Sequence, residues 1–178
     1  LALLKYLQWQ SPQERAKPWL LKTPNHMANE HHLQDIFTKP RFIVTHRDPV
    51  TSIPSLTSAI MAQRRLYSDR DCSAAMAAGN TSLFAHVAAE HLRWRDANPD
   101  VPMLDLGFGE INSDGISAAR KVYDFLGMTL SPDAQARMRE WEDRNGRDKH
   151  GKAEYSAHAI GTTDDELRQA FAAYRDRF

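Results

Sequence analysis

Three observations predict an α/β domain with a small parallel sheet flanked by many helices. Short apolar runs at Trp19-Leu20-Leu21, Phe42-Ile43-Val44 and Val101–Leu106 (VPMLDL) read as strands. Longer stretches between them carry apolar residues at helical spacing and are bounded by caps, prolines and glycines. A strand, a helix and a second strand follow one another between Trp19 and Val44. That order favours a right-handed parallel βαβ unit.

In chain order, Leu1–Gln8 reads as a short helix or the tail of a longer one, and Ser11-Pro12-Gln13-Glu14 as a turn or brief helix. The run Trp19–Leu21 ends in Lys22-Thr23-Pro24. Met27, Leu33, Ile36 and Phe37 mark an amphipathic helix leading to the strand at Arg41. After that strand, Asp48-Pro49 supplies an N-cap and a proline suited to the first helical position. Pro54 is compatible with a first turn but not a helix interior, so regular helix is expected from about Ser52, with Ser55 in its first turn.

The segment Tyr67–Ala77 shows no clear period, and Gly79-Asn80-Thr81 is expected to break the chain. Helix resumes over Leu83–Ala97, with Phe84, Val87, His91 and Trp94 on one stripe. Ser113-Asp114 caps a helix ending at Gly127, and Ser131-Pro132 opens another through Trp141. Thr163-Asp164-Asp165-Glu166 is a capping box followed by Leu167, Phe171, Tyr174 and Phe178 on one face.

Composition narrows the function classes. The 178 residues suit one domain, spanning 1–178, with 42% apolar and 26% charged residues. Lys plus Arg equal Asp plus Glu at 23 each, which argues against a dedicated nucleic-acid binder. A single cysteine, Cys72, excludes an internal disulfide and suits a reducing, cytoplasmic compartment. No apolar run approaches the roughly 18 residues of a membrane helix, and no signal-peptide pattern is present.

The chemistry concentrates in Arg41–Leu56, RFIVTHRDPVTSIPSL. An arginine at a strand's end, facing a helix N-terminus, is a natural cradle for a phosphate. Ser55, eight residues past Arg47, offers a hydroxyl to the same anion. Ligands of parallel sheets bind beyond the carboxyl ends of the strands. Lys22 and His26 follow the first strand, and His46 and Arg47 follow the second. If those strands are neighbours, the four side chains converge on one crevice. The alternative is that Arg47 and Asp48 form a surface pair and His26 caps a helix.

LLKTPNHM followed by FIVTHRDPVTSIPSL resembles the middle of sulfotransferases that use 3′-phosphoadenosine 5′-phosphosulfate (PAPS). The resemblance continues through VPMLDLGFGEI, the helix ending DFLG and HGKAEYSAHAIGTTDDELRQAFAAYRDRF. It implies a P-loop NTPase-like fold and transfer of a sulfuryl group to a hydroxyl or amine. The acceptor would be a small molecule, carbohydrate or lipid, and no metal is implied.

By the same resemblance, Arg47 and Ser55 bind the donor's 3′-phosphate. Lys22 neutralises oxygens around the reacting sulfur, and His26 is the candidate base. Family bases commonly lie two residues after the lysine, whereas His26 lies four after Lys22. Arg147, Lys149 and Lys152, beside His150, offer a second cationic loop to the 3′-phosphate, the alternative being a solvated loop.

The family's glycine-rich 5′-phosphosulfate loop has no counterpart before Trp19. Together with a start at Leu1, this leads to the expectation of an N-terminally incomplete domain, with little or no transferase activity in these residues alone. Two other readings stay open: a non-catalytic interaction domain, and a related P-loop small-molecule kinase.

Several signals carry no weight. His46-Arg47-Asp48 spells a kinase triplet, but Ile53 stands where the kinase asparagine belongs. His26, Glu30, His31 and His32 lack zinc-ligand spacing and read as a polar helix surface. Trp9, Trp19, Trp94 and Trp141 read as core or groove aromatics, and Cys72 lacks the neighbours of a nucleophile. Phe84, His86, Trp94 and Tyr67 are candidates for an acceptor pocket, with core packing the better account of most.

Overall fold

The computed structural model describes residues 2–14, 17–146 and 155–178. Two parallel strands form the sheet, β1 (Phe42–His46) and β2 (Met103–Gly107), in the register Phe42↔Met103 through His46↔Gly107. Between them run α3 (Pro49–Arg64) and α4 (Ser73–Ala97), so the βαβ unit is built on a two-helix crossover. Upstream lie α1 (Ala2–Gln10), two short 3₁₀ turns (Pro12–Glu14 and Pro24–His26) and α2 (Glu30–Ile36). After β2 come α5 (Phe108–Ser113), α6 (Gly115–Leu126), α7 (Pro132–Arg144), α8 (Asp164–Ala170) and α9 (Ala172–Arg177).

The expected strand at Trp19–Leu21 does not form. Residues 18–23 have no regular structure, and Leu20 is 85% exposed. Among the described residues no strand lies beside the apolar run to supply ladder hydrogen bonds, and an isolated strand is not stable. The parallel pair therefore joins the second and third predicted strands.

Two helix boundaries also differ. Helix α3 is continuous from Pro49, with Pro54 inside it. Pro54 removes one ladder hydrogen bond, but it is buried beside Ile53 and Thr57, and the Asp48 side chain accepts the Val50 N–H at 3.0 Å. Packing and the cap outweigh the missing bond, so Ser55 is the seventh helical residue, one turn deeper than expected. Helix α4 likewise runs through Gly79-Asn80-Thr81 without a break. Asn80 is buried there and donates to Thr57 Oγ1 at 3.0 Å, tying α4 to α3 and overriding weak local propensity.

The main core gathers Ile53 of α3, Ala77 and Ala88 of α4, Ala157, Ile160, Leu167, Phe171 and Tyr174. The predicted stripe Leu167–Phe171–Tyr174 is its C-terminal contribution, although the helix breaks at Phe171 into α8 and α9. Gly161, at φ +78, adopts the left-handed backbone that ends a 3₁₀ turn; an added Cβ would come within 2.8 Å of the Ala74 Cβ. The scattered tryptophans divide: Trp94 meets Phe42 edge-on with centroids 5.4 Å apart, while Trp9, Trp19 and Trp141 are exposed.

The capping box at Thr163 is complete. Thr163 Oγ1 accepts from the Glu166 N–H at 3.2 Å, and Glu166 Oε2 accepts from the Thr163 N–H at 2.9 Å. Because α8 delivers the buried Leu167, Thr163→Ala should lower unfolding stability by about 1 kcal/mol. Thermal melts of the two chains would measure the loss, and an unchanged midpoint would contradict it.

Candidate anion-binding site

Arg47 follows the last residue of β1 and precedes Asp48, the N-cap of α3. Its side chain is exposed and its guanidinium lies 4.6 Å from the centroid of the Phe108 ring, at the start of α5. Among the described residues it pairs with no carboxylate, because Asp48 turns instead to Arg175, whose Nε donates to Asp48 Oδ1 at 3.1 Å. The surface-pair reading of Arg47 and Asp48 is thereby replaced. At the far end of β1, Arg41 donates to the carbonyls of Phe125 and Leu126 at 3.3 and 2.6 Å, satisfying the C-terminus of α6.

His46 is not a crevice residue. It is buried, and the register explains its surroundings. Val44 pairs with Asp105, so His46, two residues on, shares the sheet face of Asp105. Asp105 Oδ1 accepts from His46 Nε2 at 2.8 Å, and the Tyr174 hydroxyl donates to His46 Nδ1 at 2.7 Å. Arg95 of α4 grips both oxygens of Asp105, Nη1 at 2.7 Å to Oδ1 and Nη2 to Oδ2. The Phe178 ring stacks on His46 at 3.8 Å.

Burial holds the His46 imidazole below its ordinary pKa, against the opposing pull of Asp105, so the neutral ring is the favoured form. Burial alone would raise Asp105, but the hydrogen bonds from Arg95 and His46 outweigh it and keep the carboxylate ionised below its ordinary range. Burial pushes the Tyr174 hydroxyl up to about 12.

These shifts bound a plateau of stability. Below the ordinary histidine value of 6.5 the unfolded chain takes up a proton that folded His46 resists, so stability falls as pH drops from there. Above the ordinary tyrosine value of 10.0 the unfolded chain loses a proton that folded Tyr174 keeps, and stability falls again towards pH about 12. Urea titrations between pH 4 and 10 should show the acid limb, and His46→Gln should flatten its first part. An unaltered limb in that variant would refute the assignment.

The other predicted residues are less concentrated. Lys22 is exposed in the irregular segment, not at a strand's end. His26 closes a 3₁₀ turn in which Thr23 Oγ1 accepts from the Asn25 N–H at 3.3 Å. Ala28, at φ +64, then turns the chain into α2 in a conformation that costs a non-glycine residue about 1–2 kcal/mol. Ser55 is half-buried within α3. Arg147, Lys149, His150 and Lys152 lie outside the described residues.

Glu30 departs from the expected polar helix surface. It is 3% exposed, and its Oε1 lies 2.6 Å from Nδ1 of the fully buried His91, joining α2 to α4. Of the acceptor-pocket candidates, Tyr67 and His86 are exposed, while Phe84 packs against the core. An open groove of about 630 Å³ between α5–α6 and α7, lined by Asp114, Arg120, Trp141 and Glu142, contains none of the predicted site residues.

Sequence reasoning missed Arg95, Asp105, Tyr174 and Arg175 as supports of the strand end. One signal was available: Asp105 interrupts the apolar VPMLDL, and a charge inside a strand requires a partner.

A parallel βαβ unit with an arginine at its strand end and a capped helix behind it makes this an α/β domain with a candidate anion site at the carboxyl end of its sheet. The chain belongs to the sulfotransferase family, whose model matches residues 2–133. It is similar to the crystal structure of sulfotransferase STF9 from Mycobacterium avium, with a TM-score of 0.84 and 26% sequence identity. That superposition covers 98% of this chain and 44% of STF9, so the chain spans less than half the length of that protein. The fold is thus the P-loop-like fold of a sulfotransferase, mostly helical around a small parallel sheet. No curated protein matches the chain. No described helix is long and apolar enough to cross a membrane.

Proposed function

We propose that this protein takes part in sulfuryl transfer from PAPS to a hydroxyl or amine, and that the chain contributes the 3′-phosphate side of the donor site. The observation that carries this reading is Arg47. Its exposed guanidinium sits at the strand end, propped by Phe108 and pairing with no carboxylate among the described residues. The fork of an arginine suits two phosphate oxygens, which fits the 3′-phosphate of the donor. Ser55 supplies a hydroxyl from α3.

PAPS, when bound, supplies the sulfuryl group and an adenosine bisphosphate leaving group. The chain's residues would then act by position and charge. His26 accepts the acceptor's proton as its oxygen or nitrogen bonds to sulfur. Lys22 offsets the charge gathering on oxygen as the bond to the leaving phosphate breaks. Arg147, Lys149 and Lys152 add cationic charge to the 3′-phosphate side. The glycine-rich 5′-phosphosulfate cradle is not among these 178 residues, so the isolated chain is proposed to bind the nucleotide without turning over. A cytoplasmic setting and a small-molecule, carbohydrate or lipid acceptor complete the proposal.

Adenosine 3′,5′-bisphosphate should raise the melting temperature of the chain. No shift at millimolar nucleotide would overturn the binding claim, and an equal shift with ATP would favour a kinase-like site.

A further inference from the structure

We propose that the last helix, α9, is a clamp that positions Arg47, with Tyr174 and Arg175 as positioning residues for the anion site. The inference rests on the functional reading of Arg47 given above. Tyr174 holds His46, the residue before Arg47, through its hydroxyl at 2.7 Å, and Phe178 stacks on the same ring at 3.8 Å. Arg175 holds Asp48, the residue after Arg47, at 3.1 Å. Arg177, from the same helix, donates to Asp96 of α4 at 2.8 Å. Arg47 is therefore bracketed on both sides by one element more than a hundred residues away in sequence.

Two effects follow. Fixing His46 and Asp48 removes backbone freedom that an anion would otherwise have to freeze, and preorganisation of this kind appears as affinity. The second effect is electrostatic. Asp48 places a carboxylate beside a site meant for a phosphate dianion, where like charges repel. The Val50 N–H and Arg175 Nε both donate to its Oδ1, at 3.0 and 3.1 Å, drawing that charge away from the ligand. The Arg175–Asp48 pair is exposed and contributes little to stability, since such pairs seldom do. Its effect belongs to binding.

Calorimetric titration with adenosine 3′,5′-bisphosphate tests this on wild type, Arg47→Ala, Tyr174→Phe, Arg175→Ala and Arg175→Lys. Arg168→Ala serves as control, because it breaks exposed ion pairs on α8 that do not touch the strand end. Arg175→Ala should weaken binding about fivefold, with the ligand-free melting temperature within about 2 °C of wild type. Arg175→Lys should recover most of that loss, and Arg168→Ala should change nothing.

Tyr174→Phe should weaken binding about threefold and speed amide hydrogen exchange at residues 45–50. Wild-type affinity in Tyr174→Phe and Arg175→Ala, while Arg47→Ala weakens binding strongly, would overturn the clamp and leave the functional reading intact. If the wild-type chain itself fails to bind, that reading falls. Exchange at residues 45–50 then decides the clamp alone: acceleration in both variants upholds it, and unchanged protection overturns it.

Discussion

Arg47→Ala is expected to weaken adenosine 3′,5′-bisphosphate binding by about 100-fold, the equivalent of about 2.7 kcal/mol. A bidentate guanidinium–phosphate contact comprises two charge-assisted hydrogen bonds, each about twice as strong as its neutral counterpart. The substitution also removes a full positive charge, which the partial charge of the helix N-terminus cannot replace. Arg47→Lys should recover part of the loss, because a lysine keeps the charge and loses the fork. Ligand-free stability should hardly change, since Arg47 is exposed and its guanidinium lies over the face of Phe108. Isothermal calorimetry at fixed ionic strength measures the effect, and wild-type affinity in Arg47→Ala would end the assignment of this strand end as the anion site. Ser55→Ala, which removes a neutral hydroxyl, should cost only about fivefold.

Asp105→Ala should destabilise the fold by about 3 kcal/mol, lowering the melting temperature by roughly 8 °C for a chain of this size. Asp105 is the acceptor for two donors from different layers, Nε2 of His46 in the sheet and the guanidinium of Arg95 in α4. Its removal leaves the Arg95 charge four-fifths buried without its carboxylate, and a buried His46 N–H without its acceptor. The carboxylate keeps about a third of its exposure, which places the loss at the lower end of the range for buried pairs. Asp105→Asn keeps the shape and one acceptor oxygen, so it should lose distinctly less. Chemical denaturation compares the three chains. Equal stability of wild type and Asp105→Ala would show that water replaces the carboxylate.

Much of the architecture is legible in the residues because it is written in local chemistry. The Asp48-Pro49 start of α3, the Asp114 and Ser131 caps, the Gly127 stop and the Thr163 capping box each satisfy orphan backbone groups within a few residues. The strands at Phe42 and Met103 are apolar runs that find each other. The errors arose where the deciding partner is remote. Trp19–Leu21 has strand composition but no strand to pair with among the described residues, and composition cannot reveal that. Gly79-Asn80-Thr81 has a breaker's composition, yet Asn80 is bonded to Thr57 across the α3–α4 interface. Pro54 lies inside a helix because its ring is buried beside Ile53. In each case tertiary packing outweighs a local preference of about 1–3 kcal/mol.

The candidate site divides along the same line. Arg47, Ser55 and their eight-residue spacing are properties of one contiguous segment, so the sequence alone determined the anion-binding hypothesis and the family it resembles. The inward turn of His46, the pairing of Asp48 with Arg175 and the bracketing of Arg47 by α9 depend on contacts across 127 or 128 positions. No local pattern encodes such contacts. They follow from strand register, which puts His46 and Asp105 on one face, and from a C-terminal apolar stripe that brings Tyr174 and Arg175 to that strand's end. The sequence singled out Arg47 as the group proposed to meet the anion. The tertiary structure decided what holds that group in place.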